Sequence, residues 1–122
     1  MKCQGYGALF IPDTHRDLFM RKSFIIKNKQ IPLLYEHKYI IGHTINIYED
    51  PQGLKVEFLV MDDFIKKFIY KGVLKHLSIG FIPLIHDRHT SCRLLKKVDL
   101  LEVSIVNIPA QKDARFWISE QL

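Results

Sequence analysis

Along most of this chain, apolar and polar side chains alternate with the period of β-structure. Leu54, Val56, Phe58 and Val60 alternate with Lys55, Glu57 and Leu59, and Ile45 and Ile47 alternate with Asn46 and Tyr48; both series predict half-buried strands. Between them, Asp50-Pro51-Gln52-Gly53 contains two strong breakers, so Thr44 to Glu49 and Leu54 to Val60 are predicted to pair as a hairpin. One segment follows a different period. From Asp62 to Lys71, Phe64, Ile65, Phe68 and Ile69 share one helical face, and Gly72 follows as a stop.

Elsewhere the pattern predicts a first strand from Gly5 to Pro12 and a polar loop over Asp13 to Asp17, while Leu18 to Phe24 reads as a short helix or a turn. Ile31 to Tyr35 is a strand entered through Pro32, which suits an edge or a strand's first residues. Ser78 to Pro83 is a short strand, Leu84 to Cys92 a loop or hairpin tip, and Asp99 to Val106 the most β-rich segment, followed by a tail. About six short strands and a clear helix predict an α+β fold: a mainly antiparallel sheet curled into a β-barrel with flanking helices. The 122 residues fit a single domain spanning 1–122.

Composition narrows the class. With 48% hydrophobic and 25% charged residues and no low-complexity segment, the chain reads as globular. Its apolar runs are too short to cross a bilayer, and nothing near Met1 has the form of a signal peptide, which predicts an intracellular protein with no membrane contact. Cys3 and Cys92 lie far apart and are read as free thiols. The formal charge of +5 favours an acidic partner without naming one. The basic residues are scattered, without the aromatic-basic interleaving of a single-strand platform, so a nucleic-acid-binding β-barrel stays a secondary reading.

Two constellations compete for the chemistry. His86, His89 and Cys92 recur every three residues, but zinc takes four ligands, or three and a water, so no metal and no cofactor is expected. The other is Lys75-His76-Leu77-Ser78-Ile79-Gly80-Phe81, in which a serine at a helix-to-strand junction can be rigid yet exposed. Gly80 there lets another backbone or a substrate approach. A serine nucleophile needs a base, and the base a partner that orients it. His37, at the end of an apolar strand, and Glu102, a carboxylate inside the most apolar strand, are candidates. An ordinary strand serine, a structural histidine and an outward-facing carboxylate explain each residue singly. Strict alternation puts Leu100, Glu102, Ser104 and Val106 on one face.

Taken in order, several blocks resemble the caudovirus prohead serine protease family, which shares the assemblin fold of herpesvirus maturation proteases. They are Ile31 to His37, Ile41-Gly42, Glu49-Asp50, Gly53-Leu54, Leu77 to Phe81, Leu101 to Val106, Pro109-Ala110 and Ala114. The resemblance implies a serine endopeptidase with Ser78 as nucleophile, His37 as general acid and base, and Glu102 as third member. His43 is open as a herpesvirus-like alternative to Glu102. Backbone N–H groups of Ile79 and Gly80 are oxyanion candidates, with Arg93 or Arg115 as a basic helper. The resemblance further implies phage scaffold and major capsid protein precursors as substrates, with self-cleavage and homo-oligomers allowed. It puts the enzyme inside the assembling procapsid, in the bacterial cytoplasm. Many family members continue beyond the Pro-Ala block, so a trimmed or catalytically inactive assembly factor of the same fold is the alternative.

Overall fold

The computed structural model describes residues 1–120. It is mostly β-sheet with one helix among the described residues. The strands are β1 (Lys2–Leu9), β2 (Asp17–Phe19), β3 (Phe24–Ile25), β4 (Pro32–Tyr35), β5 (Tyr39–Glu49), β6 (Gly53–Val60), β7 (His76–Arg88), β8 (Arg93–Val106) and β9 (Phe116–Glu120); the helix, α1, is Asp63–Tyr70.

Strand β8 organises the sheet. One of its edges pairs in parallel with β2, then β3, then β4, while β7 pairs antiparallel with β8 over its whole length. From β4 the sheet continues through β5, β6 and β1 to β9, with antiparallel pairing throughout. The β5–β6 hairpin forms where the breakers place it, and Leu54, Val56, Phe58 and Val60 are buried as the alternation predicts. They pack with Leu33, Ile47, Leu77, Val98, Val103 and Ile105 in one core. Helix α1 covers this core with Ile65 and Ile69. Its N-terminus is capped by the Asp62 carboxylate, which accepts from Ile65 N–H at 2.9 Å, and Gly72 takes φ +73° just past its end.

The ends of the sheet approach one another, since a Cβ on Gly7 would lie 2.8 Å from the Ile79 side chain. A lone bridge joins His76 to Arg115. The sheet is nevertheless not closed into a barrel, because among the described residues no continuous ladder links its ends. Other departures from the sequence pattern have local causes. Leu18 to Phe24, read as a helix or turn, falls within β2 and β3, short strands that pair with β8. The segment 84–92 lengthens β7 and β8 into an arm. The tail supplies β9 against β1. Pro32 does open its strand, but β4 lies inside the sheet, between β8 and β5.

Candidate active site

The β7–β8 pairing sets Ser78 opposite Ser104 and Gly80 opposite Glu102. Directly opposed residues share a face, and so do residues two apart; all four therefore lie on one surface. Leu100 leaves it. A bulge at Leu101, where the register steps from Gly80–Glu102 to Phe81–Leu100, reverses the alternation and turns Leu100 into the core with Val103 and Ile105.

His37 reaches this surface from the β4–β5 turn. Glu36 and His37 have φ of +52° and +60°, and Lys38 N–H closes the turn on Tyr35 O at 3.1 Å. Two successive left-handed residues in a hairpin turn ordinarily select Asn-Gly, and each non-glycine residue held there costs roughly 1–2 kcal/mol. The surroundings hold it in place. Glu36 N–H donates to Ile105 O at 3.0 Å, His37 N–H to Ser104 Oγ at 3.1 Å, and Asn107 N–H to the Glu36 carboxylate at 2.6 Å. Backbone strain of this kind concentrates at functional sites.

His37 Nδ1 lies in very short hydrogen-bond contact with Glu102 Oε1. The other carboxylate oxygen, Oε2, accepts from Ser104 Oγ at 2.7 Å. The buried Ser104 hydroxyl thus ties acid and imidazole together, donating to one and accepting from the other's backbone. An ionised carboxylate can only accept, so Nδ1 carries the proton and Nε2 is left to accept one. The side chains of His37 and Glu102 are 43% and 22% exposed, so the carboxylate is the better shielded partner. Gly80 makes room for this contact. A Cβ there would stand 2.6 Å from Glu102 Oε1, so the group that needs the missing side chain is the carboxylate rather than a backbone or substrate.

Ser78 and His37 line one cleft of about 260 Å³, with Ile79 and Phe81 on β7, Asp13 and His15 from the first loop, Asp17 at the start of β2, and Ala110 and Gln111 near the C-terminus. The loop residues escaped sequence reading because they come from both ends of the chain. His43 is elsewhere, facing solvent and opposite Pro32 and Leu59. Arg93 is spent on Asp17, with two hydrogen bonds of 2.8 and 2.9 Å. Leu77 N–H donates to Ala114 O, away from β8. Since N–H groups alternate sides along a strand, Ile79 N–H also points away from β8, whereas Gly80 N–H points into the β7–β8 ladder. His86 lies on β7, His89 and Cys92 bracket the tip of the arm, and no metal-holding cluster of three or more such side chains occurs among the described residues.

A family model described as caudovirus prohead serine protease matches residues 2–121. The chain belongs to that family. It is 31% identical to the prohead protease of Escherichia phage T5 in an alignment that takes in all of this chain and 64% of the phage protein. The chain thus spans a little under two thirds of that relative's length. Among solved structures it resembles the KSHV protease in complex with a hexapeptide phosphonate inhibitor, at a TM-score of 0.67 over 94% of this chain and 63% of that one. At 11% identity the likeness speaks for the fold, an assemblin-like sheet.

Proposed function

We propose that this prohead protease family member is a serine endopeptidase that cleaves scaffold and major capsid precursors inside the assembling phage head. The reading assigns the activity to one domain spanning residues 1–122 and requires no cofactor. The observation that carries it is the Glu102–His37 contact at the edge of the cleft that Ser78 also lines. In this reading His37 Nε2 takes the Ser78 hydroxyl proton as Oγ attacks the scissile carbonyl. The imidazolium, stabilised by Glu102, then returns the proton to the leaving amine, and water releases the acyl group by the reverse sequence. Ile79 N–H is the preferred backbone donor to the oxyanion, because Gly80 N–H is directed at β8. Among the described residues, β7 beyond the His76–Arg115 bridge is laddered only to β8, so its outer edge past Ser78 can receive an extended substrate as an added strand.

The test is a peptidyl phosphonate, which forms a covalent adduct with an activated serine hydroxyl. Wild type is expected to be labelled at Ser78, and Ser78→Ala and His37→Ala to remain unlabelled and to leave capsid precursor intact. Cleavage by Ser78→Ala at the wild-type rate would rule the reading out.

A further inference from the structure

A concavity larger than the cleft lies elsewhere on the molecule. An apolar groove of about 550 Å³ lies where α1 faces the β4–β5 turn, and Ser78, His37 and Glu102 take no part in it. Its floor includes the buried Ile65 and Leu74, and its walls include Tyr35, Tyr39 and Phe68. At its mouth Ile40 is 71% exposed and Phe64 66%, an expense of apolar surface that the fold itself does not use.

Two lysines stand over aromatic walls of the groove. Lys38 Nζ stands 5.4 Å over the Tyr39 ring and Lys71 Nζ 6.0 Å over the Phe68 ring, so two cations sit on aromatic walls of the groove. The charged residue in the lining itself, Asp62, has its carboxylate committed to the helix cap. The neighbouring Asp63 is paired with Lys66. Glu36, beside Lys38, accepts from the N–H of the lining residue Asn107. The nearby carboxylates are thus already engaged with groups of the chain itself, whereas the Lys38 and Lys71 ammonium groups rest on aromatic rings, and carboxylates flanking the apolar anchors of an entering segment would complete their pairing.

We infer that this groove is a docking site for an acidic, amphipathic segment of a partner protein, distinct from the cleft. Tyr35 lines the groove and His37 lines the cleft, two residues apart on one turn. A partner held in the groove would thus be tethered next to the cleft at high local concentration. The inference concerns binding and stands whether or not Ser78 is the nucleophile.

The probe is a fluorescein-labelled peptide with leucines at helical spacing flanked by glutamates, compared with a lysine-flanked and a scrambled version, by fluorescence anisotropy on Ser78→Ala protein. Saturable binding of the glutamate peptide alone is expected. It should weaken about tenfold or more in Ile40→Glu, as for loss of a central anchor. In the double variant Lys38→Glu with Lys71→Glu, preference should move toward the lysine-flanked peptide. Ile40 and the lysine ammonium groups lie at the surface, so unchanged melting temperatures are expected and serve as the folding control. Equal binding of all three peptides, or binding indifferent to these variants, overturns the proposal. So does a concentration-dependent dimer in sedimentation that Ile40→Glu abolishes, because the groove would then belong to a second copy. Phosphonate labelling of the same variants on a Ser78 background reports separately on the catalytic reading.

Discussion

An alanine at position 80 would place a methyl group where the Glu102 carboxylate now sits, 2.6 Å from Oε1. The carboxylate has to move, and His37 loses the group that orients it. Gly80→Ala is therefore expected to lower kcat about a hundredfold, the usual scale for an ångström of misplacement, with the fold retained. A peptide-cleavage assay beside a melting curve checks this; undiminished kcat would show that the glycine is not what seats the acid. Glu102→Gln should cost about a thousandfold or more in turnover, since an amide cannot hold the imidazole as a carboxylate does. His43→Asn should cost little, because that side chain faces solvent outside the cleft. A crippled His43→Asn with an active Glu102→Gln would reverse the assignment. At this scale the residue types were readable and their contacts were not. A carboxylate within Leu100-Leu101-Glu102-Val103 signals a partner, but the partner is 65 positions away. The roles of Ser104 and Glu36 had no signal in residue type. The short polar break Glu36-His37-Lys38, between the apolar runs Ile31 to Tyr35 and Tyr39 to Ile41, was the one available clue.

Elements are tied by side chains at their ends. Tyr6 on β1 donates its hydroxyl to Asp50 Oδ2 at 2.6 Å, in the β5–β6 turn, and Asp50 Oδ1 accepts from the N–H groups of Gln52 and Gly53. Burial pushes the Tyr6 hydroxyl up to about 12, helped by its hydrogen bond to Asp50 and that residue's charge. Burial also acts to raise Asp50, but the Tyr6 hydrogen bond, the two backbone donors and Lys55 outweigh it and hold the carboxyl below its ordinary value. The two groups act at opposite ends of the pH scale. A depressed acid contributes stability that is present above its unfolded value near 3.8 and is lost as pH falls through its folded value. A raised tyrosine contributes stability that is full below pH 10 and is lost as pH climbs toward 12. Tyr6→Phe should flatten the alkaline limb of the stability profile and Asp50→Asn the acid limb, as read by urea unfolding at several pH values. Parallel wild-type and variant profiles would show that the tie carries no linkage. The hairpin itself was legible, because Asp50-Pro51-Gln52-Gly53 is turn chemistry in sequence. The bulge at Ile45 was not: it interrupts the β5–β6 register between Thr44 and Asn46, burying Thr44 where alternation put Ile45 inward.

For the molecule as a whole, stability rests on the side chains enclosed by the curled sheet. Phe58 is fully buried, with its ring edge-on to Phe116 at 5.4 Å, and so joins β6 to β9. Phe58→Ala is expected to cost about 3–5 kcal/mol of unfolding free energy. Ile40→Ala, on an exposed position, should stay within about 0.5 kcal/mol. Denaturant midpoints check both, and equal effects would mean that the core is not where the burial puts it. The sequence by itself determined the features that depend on neighbours along the chain: the period of the β5–β6 hairpin, the capped helix from Asp62 to Gly72, and the ordered blocks that carry the family resemblance. Tertiary structure decided what depends on register. Parallel pairing of β4 with β8 brings the His37 turn over Glu102, a bulge at Leu101 reverses the strand's faces, and both ends of the chain wall the cleft. The physical reason is that local pattern encodes which side of a strand faces the core, whereas a shift of one residue in pairing, which no local pattern records, exchanges every face beyond it.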